Sequence, residues 1–168
     1  MTEPPKILDF ETFDRSLGWM IREAAGLEMY LETIVKELCE SPYGALLISG
    51  EPSSRVLNVC KVLIDAHSEI PEDHRAGFKK MLVEARAAFE RRHGYVHGAI
   101  AWVGDGIPGN MRSRRLKAGT DFRPIELNDL NQLAGEFNRL AIQAHTFLCL
   151  ANAGFTGSSA HSSAAATS

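Results

Sequence analysis

The residue types that most directly support chemistry stand together in one short stretch, Arg92-His93-Gly94-Tyr95-Val96-His97. The planar guanidinium of an arginine binds phosphate oxygens in pairs, and an imidazole gains or loses a proton near neutral pH. Arg92 and His97 in one place could therefore hold a phosphate group and move a proton beside it. Whether they do so depends on the elements that position them.

The sequence before this stretch predicts an amphipathic helix. Its apolar residues recur every three or four positions, as in a helix face that packs in a core. They are Phe78, Met81, Leu82, Ala85, Ala88 and Phe89. The same spacing continues to Arg92 and Val96 and puts His97 on the flank of the face, provided that the helix continues through Gly94. An arginine thus occupies a position that the pattern assigns to packing.

A guanidinium at a packing position needs an acceptor, because burying an unpaired charge costs several kcal/mol. One interpretation supplies the acceptor from the protein itself, from Glu84, Glu90 or a carbonyl at a helix end. The other supplies it from a bound phosphate. Residue types alone favour the internal acceptor.

Composition indicates one ordinary globular domain. The chain has 168 residues, of which 45% are hydrophobic and 23% charged, enough for a single core. A formal net charge of -3 argues against a general nucleic-acid coating protein, which needs many basic contacts to phosphates. The N-terminus lacks the pattern of a signal peptide, and no apolar run is long enough to cross a bilayer, so a cytoplasmic protein without membrane contact is expected.

Neither a metal nor another cofactor is predicted. Cys39, Cys60 and Cys149 are far apart in the sequence and are interpreted as small buried apolar residues. His93 and His97 have the spacing of a two-histidine metal face. They lack an acidic residue between them and a third ligand nearby, so the pattern does not favour a metal centre.

Four main helices are predicted. The first begins at a cap on Asp14 or Ser16 and reaches about residue 40; the second opens at Ser53 or Ser54; the third opens at 71–73; the last begins at Asn128 or Asp129 and reaches about residue 152. Proline and glycine separate them. Residues 43–49 are interpreted as a short helix, although so short an apolar run also fits a strand.

Residues 99–118 predict a small β-hairpin or extended insert before the last helix. Its first arm is 99–103, a turn-rich segment follows, and the second arm is 111–118, with 119–124 expected as a loop. The second arm carries four cations, Arg112, Arg114, Arg115 and Lys117. They could contact a phosphate backbone, although such a run is more often a solvated edge strand.

The fold class that follows is all-α, an up-and-down bundle of four main helices with a short helix and the small insert. Residues 1–154 form the single domain, and the Gly/Ser/Ala-rich tail 155–168 is predicted to be disordered.

Arg92-His93-x-x-x-His97 at the end of an amphipathic helix resembles the Arg-polar-x(3)-His motif of the HEPN superfamily. The order of elements over roughly residues 15–152 is also similar to that of bacterial and phage HEPN-like proteins, with a long first helix, the motif helix, a Trp-containing strand-like stretch, a basic stretch and a last helix opened by Asp-Leu. His93 stands where the family commonly has asparagine.

The resemblance implies a metal-independent endoribonuclease of toxin or defence type, in which the 2′-hydroxyl of RNA attacks the adjacent phosphate. Arg92 would hold that phosphate and His97 would act as general base or acid. A homodimer would bring a second Arg92 and His97 to the same groove, and His93 would orient His97 or contact RNA. Arg91, Tyr95 and the basic arm are the expected RNA contacts.

Two other functions remain open. One is a catalytically silent HEPN-like dimer that binds RNA, a nucleotide or a partner protein. The other is a purely structural helical adaptor. A nuclease of toxin type would also need a regulatory partner protein.

Overall fold

The computed structural model describes residues 10–39, 41, 43–103, 107–113 and 120–154. Four long helices form the body: α1 (Phe10–Leu38), α2 (Ser53–Ala66), α3 (Glu72–Val96) and α4 (Leu127–Asn152). A 3₁₀ helix, Gly44–Leu47, connects α1 to α2. The all-α bundle and the short helix are confirmed. The predicted tail, 155–168, lies outside the described residues.

The apolar stripes of the helices meet in one core, as the periodicity predicted. The residues with 0% exposure include Met20, Leu27, Leu31, Ala85, Leu133, Phe137 and Leu140. Val96, which continues the predicted stripe of α3, is nevertheless 41% exposed, and Ile21 of α1 is 44% exposed. These two side chains therefore lie outside the core.

Helix boundaries differ from prediction by a few residues. α1 begins at Phe10, before the expected cap at Asp14, because Phe13 is buried and extends the apolar stripe toward the N-terminus. α4 begins at Leu127, so the expected cap Asp129 lies inside the first turn, where α3 binds its side chain.

The third helix does continue through Gly94, as the motif spacing required. Its last turn is closed by the backbone N–H of His97, which donates to the carbonyl of His93 at 3.2 Å. Its first turn follows Pro71 and carries Glu72 and Asp73, whose negative charges suit the positive end of a helix.

The direction of α2 departs from a simple up-and-down order. Ser53 at the start of α2 bonds to Glu28, and His67 just after its end bonds to the carbonyl of Leu38 at 2.8 Å. Residue numbers rise together along both helices, so α1 and α2 run in parallel. Residues 39–52 are long enough to return the chain along the bundle before α2 begins.

The remaining helices alternate in direction. Arg86 of α3 donates to Asn58 of α2 at 2.6 Å, and Arg139 of α4 donates to Glu84 of α3 at 2.7 Å. Lys79 of α3 also pairs with Asp65 of α2, and the ring of Phe78 stacks on that of Phe147 in α4, so α3 runs antiparallel to both α2 and α4. Because α2 starts beside the second half of α1, the first half of α1 and the end of α3 extend beyond it.

The insert is a three-stranded antiparallel sheet in the order β1 (Ala99–Val103), β2 (Ile107–Ser113), β3 (Thr120–Pro124). The predicted hairpin is confirmed. Two details of the prediction were wrong: β2 already starts at Ile107, and residues 120–124 form a strand, not a loop. Pairing along the edge of β2 stabilises β3, which a short local pattern does not reveal.

The three cysteines do not share one environment. Cys60 is fully buried, and this burial raises the pKa of its thiol to about 12. Cys39 is partly buried, and Cys149 is exposed. The expectation of a buried cysteine is therefore wrong for Cys149, which lies on the outer face of α4.

In the part of the chain that the structure describes, none of the helices combines the length and the apolar character needed to cross a bilayer.

Asp65 generates a prediction about pH. Its carboxylate accepts hydrogen bonds from Lys79 of α3 and from Lys61 of α2, and these lower its pKa from 3.8 to about 2. A pKa below the ordinary value means that the contribution to stability is present above about pH 4 and is lost as the pH falls through about 2. Asp65→Asn should therefore lower the melting temperature at about pH 6, and the difference from wild type should shrink toward about pH 2.

Thermal unfolding followed by circular dichroism checks this. Asp14→Asn, the same change at an exposed aspartate of α1, is the control and should differ little from wild type throughout. An Asp65→Asn difference of equal size at both ends of the pH range would contradict the assignment.

Candidate active site

The motif residues line a cleft of about 770 Å³ at the end of α3. The cleft opens beside the first residues of α2, where α1 and α3 extend beyond that helix. Its wall includes Arg92, His93 and His97 from α3, Glu28 and Glu32 from α1 and Ser53 from α2. The structure therefore brings the three residues predicted to be catalytic to one surface.

Arg92 has its acceptor within the protein. Its Nη1 donates to Glu28 Oε1 at 2.9 Å, and its guanidinium carbon lies 5.4 Å from the ring centroid of Phe89. The side chain of Arg92 is 26% exposed and that of Glu28 is 32% exposed. The predicted internal acceptors were wrong, since Glu84 binds Arg139 and the carboxylate that meets Arg92 comes from α1.

Glu28 has a second donor. The hydroxyl of Ser53, the first residue of α2, donates to the same oxygen, Oε1. One carboxylate oxygen thus connects α1, α2 and α3 at the edge of the cleft. Such charge-assisted hydrogen bonds are stronger than neutral ones. The sequence did not predict that Glu28 and Ser53 belong to the site, because each has the pattern of an ordinary polar residue of its own helix.

His93 and His97 lie one helical turn apart and are exposed on the cleft wall. Their ring centroids are 4.3 Å apart, with an angle of 46° between the ring planes. The contact follows from the i, i+4 spacing of residues on one helix face. Two imidazoles therefore stand next to Arg92, each able in principle to accept or donate a proton.

Arg91 and Tyr95 face α4, on the other side of α3. Arg91 makes two ion pairs of 2.7 Å, with Asp129 and with Glu136. The hydroxyl of Tyr95 donates to Asp129, and burial, followed by this carboxylate, raises the pKa of the phenol. Both were predicted RNA contacts, and an RNA contact at either position would have to break these bonds.

The predicted basic arm is only partly described. Arg112 lies in β2, with its Cα opposite that of Asp121 in β3. Arg114, Arg115 and Lys117 lie outside the described residues.

The charges of the cleft are mixed. The lining residues include four glutamates, at positions 28, 32, 51 and 90, and two arginines, at positions 86 and 92. Arg86 is engaged by Asn58. The cleft also receives the first turn of α2, whose N-cap, Pro52, provides no side-chain hydrogen bond, so the positive end of that helix dipole faces it. This arrangement suits one anionic group held at one point better than a long polyanion.

Among the residues that the structure describes, no three or more His, Cys, Asp or Glu side chains are grouped so that they could hold a metal ion. The side chains that line the cleft include guanidinium, imidazole, hydroxyl and carboxylate groups.

Comparison with protein-family models, with curated proteins and with solved structures finds no match to this chain.

The contact between Tyr95 and Asp129 predicts a loss of stability in Tyr95→Phe. The hydroxyl is partly buried and bonded to a carboxylate, and loss of such a bond costs about 1 to 3 kcal/mol. Urea unfolding should show this loss, whereas Tyr43→Phe should be neutral, because Tyr43 is 71% exposed.

If Tyr95→Phe unfolds at the same urea concentration as wild type but binds RNA more weakly, the predicted RNA contact is the better account of Tyr95.

Proposed function

We propose that the protein is a metal-independent endoribonuclease of toxin or defence type, in which Arg92 and His97 act on the scissile phosphate. The observation that carries this proposal is the placing of Arg92, His93 and His97 together on one cleft wall. In cleavage of RNA by its own 2′-hydroxyl, an imidazole can transfer a proton and a guanidinium can stabilise the charge on the phosphate.

The proposed reaction is a transesterification. His97 removes the proton from the 2′-hydroxyl, whose oxygen attacks the adjacent phosphorus. The bond from phosphorus to the 5′-oxygen breaks, and a general acid returns a proton to that leaving oxygen. Arg92 stabilises the negative charge that grows on the other phosphate oxygens. The products are a 2′,3′-cyclic phosphate and a 5′-hydroxyl.

A homodimer would supply the second proton-transfer group. A second copy of the chain would add its own Arg92 and His97, which separates the acid from the base. Ile21 and Val96 support this part of the proposal, because both belong to packing stripes yet are 44% and 41% exposed. Ile21 lies two turns from Glu28 and Val96 lies one turn from Arg92, so the exposed apolar surface is close to the cleft.

His93 contacts His97 ring to ring and would orient it during proton transfer. The RNA chain on either side of the scissile phosphate would be held by the basic arm, since the cleft itself carries more carboxylates than guanidiniums. The expected location of this activity is the cytoplasm, where a regulatory partner would have to restrain it.

A catalytically silent binding module is the second candidate. The ion pair between Arg92 and Glu28 favours it, because an arginine already paired can serve to hold three helices together. In that function the cleft would bind a nucleotide, RNA or a partner protein without breaking a phosphodiester bond.

Incubation of the purified protein with total RNA in EDTA distinguishes the two. Wild type should cleave RNA and leave 2′,3′-cyclic phosphate ends, and His97→Ala should lower the rate about 10²- to 10⁴-fold, the usual contribution of a general acid or base.

His145→Ala is the matched control, because His145 is an exposed histidine on α4, beside Tyr30 and away from the cleft. It should cleave like wild type. Intact RNA with wild type, or equal cleavage by wild type and His97→Ala, would reject the nuclease and leave the binding module.

A further inference from the structure

Arg92 uses only part of its hydrogen-bonding capacity. A guanidinium has five N–H donors, and the contact with Glu28 uses Nη1. Within the described part of the chain, no other ion pair or hydrogen bond engages Arg92. Its Nε and Nη2 groups form the side edge of the guanidinium, which is the edge that binds two oxygens of a phosphate at once.

Glu28 is itself held in place. Its Oε1 accepts from Arg92 and from Ser53, so its position is fixed from α2 as well as from α3. Because Ser53 already restricts the Glu28 carboxylate, Glu28 loses little conformational entropy when it also bonds Arg92. Glu28 can therefore fix the rotation of the guanidinium about its long and otherwise flexible stem.

We propose that Glu28 is the positioning residue of the site: by bonding Nη1, it holds Arg92 with the Nε–Nη2 edge presented to an oxyanion in the cleft. This inference rests on the proposed function, since the oxyanion would be the scissile phosphate of RNA. It adds a role for a residue of α1 that the motif does not contain. Glu28 does not contact the substrate and acts through Arg92.

Glu28 could instead block the site, and blocking predicts the opposite effect of its removal on anion binding. If Glu28 instead occupied the place of the phosphate, its removal would free Arg92 and strengthen anion binding. If Glu28 positions Arg92, its removal leaves the guanidinium mobile and weakens anion binding. The sign of the change therefore decides between positioning and blocking.

The first test uses no RNA. The ¹⁵N–¹H signal of the Arg92 guanidinium, assigned by its loss in Arg92→Lys, is followed while inorganic phosphate is added to the full chain. Wild type should show restricted rotation of the guanidinium and a shift of the Nε–H signal with phosphate. Glu28→Ala should lose the restriction and bind phosphate about tenfold more weakly, the size expected for a charged group that is no longer preorganised.

Two variants keep the test interpretable. Glu28→Gln preserves the shape and an acceptor oxygen and should retain most of the restriction, even if Glu28→Ala is too unstable to measure. Glu32→Ala, which removes a neighbouring carboxylate that lines the same cleft and pairs only with Lys36 among the described residues, should keep the restricted rotation of the Arg92 guanidinium and should not weaken phosphate binding.

Tighter phosphate binding by Glu28→Ala, unchanged rotation of the Arg92 guanidinium, or a wild-type signal that phosphate does not shift would each overturn the proposal. An equal weakening by Glu32→Ala would also overturn it, because the loss would then not depend on the contact between Glu28 and Arg92.

The second test uses RNA cleavage. Glu28→Ala should lower kcat/KM about tenfold, and Glu28→Gln should restore most of it, since a guanidinium that is no longer positioned stabilises the transition state less well. If wild type leaves RNA intact, the proposed nuclease function fails, while the phosphate titration still decides whether Glu28 positions Arg92.

Discussion

A positive charge at a packing position of α3 has to be neutralised, and the contact between Arg92 and Glu28 does this. Because Ser53 donates to the same oxygen, the contact also joins α1, α2 and α3. A partly buried guanidinium without that carboxylate would lose part of its hydration with no opposite charge to compensate. The relative position of three helices is therefore coupled to the pairing of a single residue, and that residue belongs to the motif from which a catalytic function was inferred.

The cleft exists because α2 runs parallel to α1 and starts beside Glu28. A helix that instead followed α1 by a tight turn and ran the full length of the bundle would cover Arg92, His93 and His97. Residues 39–52 return the chain part of the way, so α2 covers only the second half of α1. The exposure of the polar groups at the end of α3 and of Ile21 and Val96 has the same origin, since α2 does not extend over them.

Periodicity was sufficient to predict the four long helices and most of the core, because each helix carries its own apolar stripe. Their spacing also placed His93 and His97 on one helix face, on the condition that α3 continues through Gly94, and it does. Periodicity could not predict Glu28 as the acceptor of Arg92, since the two residues meet only after α1 and α3 are packed. The strand at 120–124 was missed for the same reason. It is stabilised by pairing with β2, and its five residues are too few for a local pattern to predict that pairing.

The mixed charge of the cleft constrains any function that is assigned to it. With four carboxylates and two guanidiniums among the lining residues, and one of those guanidiniums paired with Glu28, long-range attraction of a polyanion is weak there. What the described cleft can provide is local: one free guanidinium edge, two adjacent imidazoles and the N-terminus of α2. Such a site would select its ligand by short-range hydrogen bonds to a single phosphate, and binding of the remaining nucleotides would depend on surfaces outside the cleft.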